Sequence, residues 1–201
     1  MRNVDVLTMR LCDTPSSNAP IRSINLEISI LTPMSASNLT RSGLPIDEIL
    51  EDLKRQFRQS DQVVLQAPPG AGKSTWLPLQ LMRDSHFKRI VMLEPRRLAA
   101  RNIANYLAQC QNESLGQSVG LRVRGESKVS ANTRLEIVTE GMLTRMLQND
   151  PELSDVDLLI FDEFHERSLQ ADLGLSLCLD CQANLREDLR IVVMSATLDV
   201  D

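Results

Sequence analysis

Val63-Val64-Leu65-Gln66-Ala67-Pro68-Pro69-Gly70-Ala71-Gly72-Lys73-Ser74-Thr75 joins a short apolar run to a glycine-rich turn, and an apolar stretch follows it. The apolar run reads as a buried strand and the stretch beyond the turn as a helix. Glycine lets the chain curl so that successive backbone N–H groups face one anion. The helix beyond places the positive end of its dipole at the same point. Gly70, Ala71, Gly72, Lys73, Ser74 and Thr75 therefore read as a loop for the phosphates of ATP. In such a loop Lys73 reaches the β- and γ-phosphates and the Ser74 hydroxyl ligates Mg2+. The strict pattern has Gly where Ala67 stands; alanine is the next smallest residue there.

Outward from this loop the chain alternates short apolar runs with helical patterns. Ile46, Ile49, Leu50, Leu53 and Phe57 share one helical face ahead of it. Ile90–Leu93, Val119–Val123, Leu135–Val138, Leu158–Phe161 and Ile191–Met194 read as strands. Helices are expected from about Leu98 to Cys110, from Met142 to Leu147 and from Glu166 to about Cys181. Continuous apolar strands alternating with helices predict an α/β fold, a mostly parallel sheet sandwiched by helices. Ligands in such folds bind beyond the carboxyl ends of the strands.

Asp162-Glu163 stands at one of those ends. Two adjacent carboxylates after four apolar residues are costly unless cations face them. Mg2+ bound to a triphosphate is such a cation. Asp162 is placed to hold the metal, and Glu163 to orient or deprotonate the attacking water.

The full run Asp162-Glu163-Phe164-His165-Glu166-Arg167 resembles the DEAH-box (DExH) branch of superfamily 2 helicases, and is most similar to its bacterial HrpB-type members. Glu94-Pro95-Arg96-Arg97-Leu98-Ala99-Ala100 resembles motif Ia of that family, Thr139-Glu140-Gly141-Met142-Leu143 motif Ib, and Ser195-Ala196-Thr197 motif III. Val119 to Arg124 resembles a further family segment, with Leu121 where an aromatic residue is usual. The resemblance runs from Leu44 to Asp201 and implies a RecA-like P-loop NTPase domain. It implies a catalytic set of Lys73, Asp162, Glu163 and His165, and contacts from Arg96, Arg97 and Thr139 to the backbone of single-stranded RNA, with DNA left open. It also implies that His165, Ser195 and Thr197 couple the nucleotide site to the strand site. In the family a second RecA-like domain closes over the ATP; this chain ends at Asp201, soon after motif III. The expectation is therefore the ATP-binding part of an ATP-dependent RNA helicase, weak or inactive by itself. The alternative is a module that binds strand or partner under nucleotide control without turnover of its own.

Residues 1–43 fall outside the resemblance. They are rich in Ser, Thr, Asn and Pro and read as loop or disorder, apart from an alternating strand signal at Ile24–Ile30 with no evident partner. Met34 is a possible alternative start. Net charge is −5, which does not favour nucleic acid, so grip must come from a local cluster. Arg96, Arg97 and Arg101, with Arg122 and Arg124, are the candidates, placed beside the phosphate loop. Aromatic residues are 3% of the chain, too few for base-stacking platforms. Cys178-Leu-Asp-Cys181 has the spacing of a redox or metal pair, but no second pair or nearby His completes a zinc set, and two core residues on one helix face is the better reading. No apolar run approaches a membrane span and no secretion signal is legible, which points to the cytoplasm.

Overall fold

The computed structural model describes residues 6–12, 22–29, 43–84 and 86–196. In chain order the described strands are β1 (Val6–Cys12), β2 (Arg22–Ser29), β3 (Gln62–Gln66), β4 (Ile90–Leu93), β5 (Val119–Val123), β6 (Glu126–Lys128), β7 (Leu135–Val138), β8 (Leu158–Phe161) and β9 (Arg190–Ser195). The α-helices are α1 (Leu50–Gln59), α2 (Trp76–Arg83), α3 (Arg97–Cys110), α4 (Glu140–Asn149) and α5 (Leu169–Asn184), with 3-10 turns at Pro45–Glu48 and Phe164–Glu166.

The strands form one sheet in the order β1-β2-β3-β9-β8-β4-β7-β5-β6. From β2 to β5 every neighbouring pair is parallel; β1 on β2 and β6 on β5 are antiparallel. The pleat explains why β4 and β8 are apolar throughout. Ile90, Met92, Leu158 and Ile160 pack with α1, α2 and α3 on one face. Val91, Leu93, Leu159 and Phe161, the residues between, pack with α4 and α5 on the other. A strand covered on both faces takes a charged side chain only where a partner meets it, as Glu136 on β7 meets Arg89 and Arg122.

Cys178 and Cys181 belong to that second core, both buried, and burial pushes the Cys178 thiol up to about 12. Among the described residues no three or more His, Cys, Asp and Glu side chains gather as they would around a metal ion. Likewise among them, no helix is long and apolar enough to cross a membrane.

Three sequence expectations change. The reading of residues 1–43 as loop or disorder does not hold at Val6–Cys12 and Arg22–Ser29, which are strands. The signal expected at Ile24–Ile30 finds partners on both sides, with Asn25 opposite Arg10 and Gln66. The Ser- and Pro-rich stretches of that segment lie outside the described residues. The helix expected from Glu166 starts at Leu169 instead: Arg167 takes a left-handed φ of 45°, and the Ser168 hydroxyl caps the helix by accepting from Ala171 N–H at 2.9 Å. Lastly, β3 and β4 are separated by β9 and β8, so Arg96 and Arg97 do not stand beside the phosphate loop. They stand beside the strand that ends in Asp162.

Candidate active site

Because β3, β9, β8, β4, β7 and β5 are parallel, their carboxyl ends lie along one edge of the sheet. That edge carries the Ala67–Thr75 loop, Ser195, Asp162, Glu94, Thr139 and Arg124 in turn. Main-chain hydrogen bonds continue past the strands and hold the edge together. Ala67 N–H donates to Ser195 C=O at 3.1 Å, Asp162 N–H to Leu93 C=O at 3.0 Å, and Glu94 N–H to Val138 C=O at 2.9 Å.

Ala67 is fully buried where it leaves β3, which accounts for a small residue there. Gly72 has φ +93°, and a Cβ on it would come within 2.9 Å of Leu44 Cδ1 and 3.0 Å of Ile46 Cγ2. The loop thus turns against the segment that precedes α1. The turn continues through Thr75, and α2 begins at Trp76, whose N–H donates to Gly72 C=O at 2.9 Å. Pro78 in the first turn of α2 costs nothing, since its missing N–H would have no intrahelical acceptor.

Lys73 is only 4% exposed, so its charge needs a partner. It has one: Nζ lies 3.0 Å from Glu163 Oε1. The loop lysine and the second carboxylate of the Asp-Glu pair are thus in contact although 90 residues apart. Asp162 is buried; its Oδ1 accepts from Glu163 N–H at 2.9 Å, and its Oδ2 is buried without a hydrogen-bond partner. Burial pushes the Asp162 carboxyl up to about 6, opposed by the nearby Ser74 hydroxyl, the Glu163 N–H and Lys73 and helped by the Glu163 charge. An orphaned carboxylate oxygen next to a hydroxyl is a donor pair that fits Mg2+.

Glu163 has φ 49°, a left-handed conformation costly for a side chain with Cβ. His165 follows it in the short turn. Its Nδ1 accepts from Ala196 N–H at 3.4 Å. Glu163 Oε2 approaches the same Nδ1 at 3.4 Å, a proximity without a hydrogen bond. His165 therefore joins the end of β8 to the end of β9. Ser195 is fully buried there; Thr197 lies outside the described residues.

Further along the edge, Arg97 Nη2 donates to Arg124 C=O at 2.8 Å, and Arg101 pairs with Glu126. Thr139 is the residue before α4, at the end of β7. Arg122 turns inward instead: its Nε lies 2.8 Å from the buried Glu136, which also binds Arg89 at 2.9 Å. It is a structural charge and leaves the strand cluster.

Sequence reasoning missed Glu94 and Glu166 as site residues. Glu94 is 3% exposed at the end of β4. Burial and the Asp162 charge push its carboxyl up to about 7, against a hydrogen bond from Arg96 N–H. The signal was present, a carboxylate directly after four apolar residues as at Asp162. Glu166 pairs with Arg96 and lies with it on a cavity of about 230 Å3 that reaches Asp162 and Glu163.

The DEAD/DEAH box helicase family model matches residues 47–201. The ATP-dependent RNA helicase HrpB of Escherichia coli is 58% identical over 161 residues, covering 80% of this chain and 20% of that protein. The DExH-box ATP-dependent RNA helicase DExH1 of Arabidopsis thaliana is 35% identical over 167 residues, covering 80% and 17%. A crystal structure of the E. coli DEAH/RHA helicase HrpB superposes with a TM-score of 0.76 at 58% identity, covering 78% of this chain and 20% of that one. The chain thus spans about a fifth of the length of these relatives. With the phosphate loop, the Asp-Glu pair and the motif III strand on one sheet edge, and a family match over most of its length, this chain belongs to the DEAD/DEAH box helicases.

Proposed function

We propose that residues 44–201 form the ATP-binding domain of an ATP-dependent RNA helicase, with residues 1–43 an extension to it. The observation that carries this is the meeting of Lys73, Ser74, Asp162 and Glu163 across the ends of β3 and β8. Gly70 to Thr75 wrap the phosphates of ATP. Lys73 exchanges its Glu163 partner for the β- and γ-phosphates, which offer more negative charge to the same ammonium. Glu163, released, is free to orient the attacking water. Ser74 and Asp162 hold Mg2+, which neutralises charge on the phosphates. Arg96, Arg97 and Thr139, at the ends of neighbouring strands β4 and β7, take the phosphates of a single RNA strand. His165, through Ala196, ties the two sites, with Ser195 and Thr197 on the same segment. We place this work in the cytoplasm, with a second RecA-like domain of the intact protein as the partner that closes the cleft.

Calorimetric titration of Mg·ATP tests the nucleotide site. Lys73→Ala and Asp162→Asn should each weaken binding about tenfold or more, the scale of one charge-assisted contact. Affinity equal to that of the parent chain in both variants would overturn the assignment.

A further inference from the structure

Arg96 does not project freely from the end of β4. Its Nε donates to Glu166 Oε2 at 3.1 Å, and its Nη2 pairs with Glu166 Oε1. One carboxylate thus takes two donors of the guanidinium side by side, the geometry in which arginine also binds a phosphate. The pair is open to exchange: the Arg96 side chain is 70% exposed and that of Glu166 27%.

Glu166 is not an arbitrary surface acid. It ends the 3-10 turn that begins directly after Glu163, and its N–H donates to Glu163 C=O at 2.9 Å. This turn is bracketed by two non-glycine residues in the left-handed region, Glu163 at φ 49° and Arg167 at φ 45°. Such residues hold their conformation only where the surroundings impose it. Three contacts do so here. Lys73 holds Glu163 from the phosphate loop, Ala196 holds His165 from β9, and Arg96 holds Glu166 from β4.

We propose that Glu166 is a gate: it stands in for a nucleic-acid phosphate on Arg96, and a strand must displace it to bind, which releases one of the three holds on the Glu163–Arg167 turn. The proposal rests on the reading of Arg96 as a strand contact. It gives the Asp-Glu-Phe-His run a direct link to the strand, shorter than the one through His165 and β9. It also means that the chain's affinity for RNA is reduced by the fraction of molecules in which Arg96 is taken.

The test is binding of a labelled single-stranded homopolymer RNA to the 201-residue chain, by fluorescence anisotropy over a range of salt. Glu166→Gln keeps the shape and removes the charge. It should bind about two- to fivefold tighter, the range set by a solvent-reachable ion pair. Arg96→Ala should bind more weakly, with a salt slope shallower by about 0.7. Glu166→Gln added to Arg96→Ala should gain nothing, because the competitor then has no target. Glu166→Asp, which is too short for both donors, should tighten binding by less than Glu166→Gln and serves if the latter melts early. Unchanged affinity in both Glu166 variants overturns the gate, as does a gain that persists without Arg96, which would mean general charge relief. If Arg96→Ala binds like the parent, the strand site is misassigned and the gate falls with it. If Arg96→Ala weakens binding while the Glu166 variants do not strengthen it, only the gate falls.

Discussion

At Asp162 and Glu94 the chain keeps two acids where water is scarce. Both carboxyls are pushed up by burial and by a neighbouring acid, Asp162 beside Glu94 and Glu163 beside Asp162, Glu94 to about 7 and Asp162 to about 6. For an acid whose folded pKa is raised, both states are protonated well below the ordinary value of 4.5, and the fold loses nothing. As pH climbs from there towards 7 the unfolded chain ionises first, so stability falls, and the loss is complete above the folded pKa. The protein should therefore melt higher near pH 5 than near pH 8. Glu94→Gln removes the largest of these costs while leaving an acceptor for Arg96 N–H. It should raise stability at pH 8 by on the order of 1–2 kcal/mol and change little at pH 4.5. Thermal melts of the two proteins across that range check it; parallel curves would show that Glu94 does not titrate between them. Asp162 was legible in the sequence because it comes doubled with Glu163. Glu94 was not, because its neighbours Pro95-Arg96-Arg97 direct attention to the strand rather than to the acid.

At the scale of elements, the legible parts are those in which one local rule suffices. The runs at Ile90–Leu93, Val119–Val123, Leu135–Val138 and Leu158–Phe161 have the observed bounds: the first and last are four apolar residues in a row, and the other two begin and end on apolar residues with Arg122 or Glu136 inside. Strand β6 was missed: Glu126-Ser127-Lys128 has no apolar alternation, and it is a strand only because Gly125, at φ +83°, turns it back along β5. The pairing of β1 with β2 and of β2 with β3 was illegible for a related reason. A strand's partner is a long-range fact, and the Ile24–Ile30 signal says nothing about Val6–Cys12. The phosphate loop was legible as chemistry, but its packing was not. Gly72 and Gly70 both have positive φ, yet only Gly72 is hemmed in, whereas a Cβ on Gly70 meets nothing within 4 Å. Gly72→Ala should therefore cost about 2–3 kcal/mol, strain plus a clash with Leu44 and Ile46, against about 1 kcal/mol for Gly70→Ala. Denaturant unfolding of both variants measures the difference, and equal losses would mean that Leu44 and Ile46 yield freely.

For the molecule as a whole, the sheet order sets how the two sites communicate. The nucleotide loop on β3 and the arginines on β4 are separated by β9 and β8, the strands that carry motif III and the Asp-Glu pair. On the proposed assignment of the two sites, anything that passes between ATP and RNA in this domain crosses those two strand ends. Turnover, however, asks for more than the described residues of this domain present. On the nucleotide edge Lys73, now paired with Glu163, is the proposed phosphate contact, and Ser74 with Asp162 the proposed donor pair for Mg2+. The strand-side arginines are tied elsewhere, Arg96 to Glu166, Arg97 to Arg124 C=O and Arg101 to Glu126. In-line transfer of the γ-phosphoryl group needs further cation contact as charge develops on its oxygens, and an arginine finger is worth roughly 10³ to 10⁵ in rate. At about 1.36 kcal/mol per decade that is some 4–7 kcal/mol of barrier, more than any rearrangement of Glu163 could replace. Opening and closing around a strand also needs a second body to move against the first. The 201-residue chain alone should thus bind Mg·ATP and hydrolyse it far below the ~1–100 s⁻¹ of competent phosphoryl-transfer enzymes, with little response to RNA. The measurement is steady-state ATP turnover with and without single-stranded RNA, on protein shown to be monomeric. RNA-stimulated turnover within that range, abolished by Glu163→Gln, would show that this one domain supplies every cation the reaction needs.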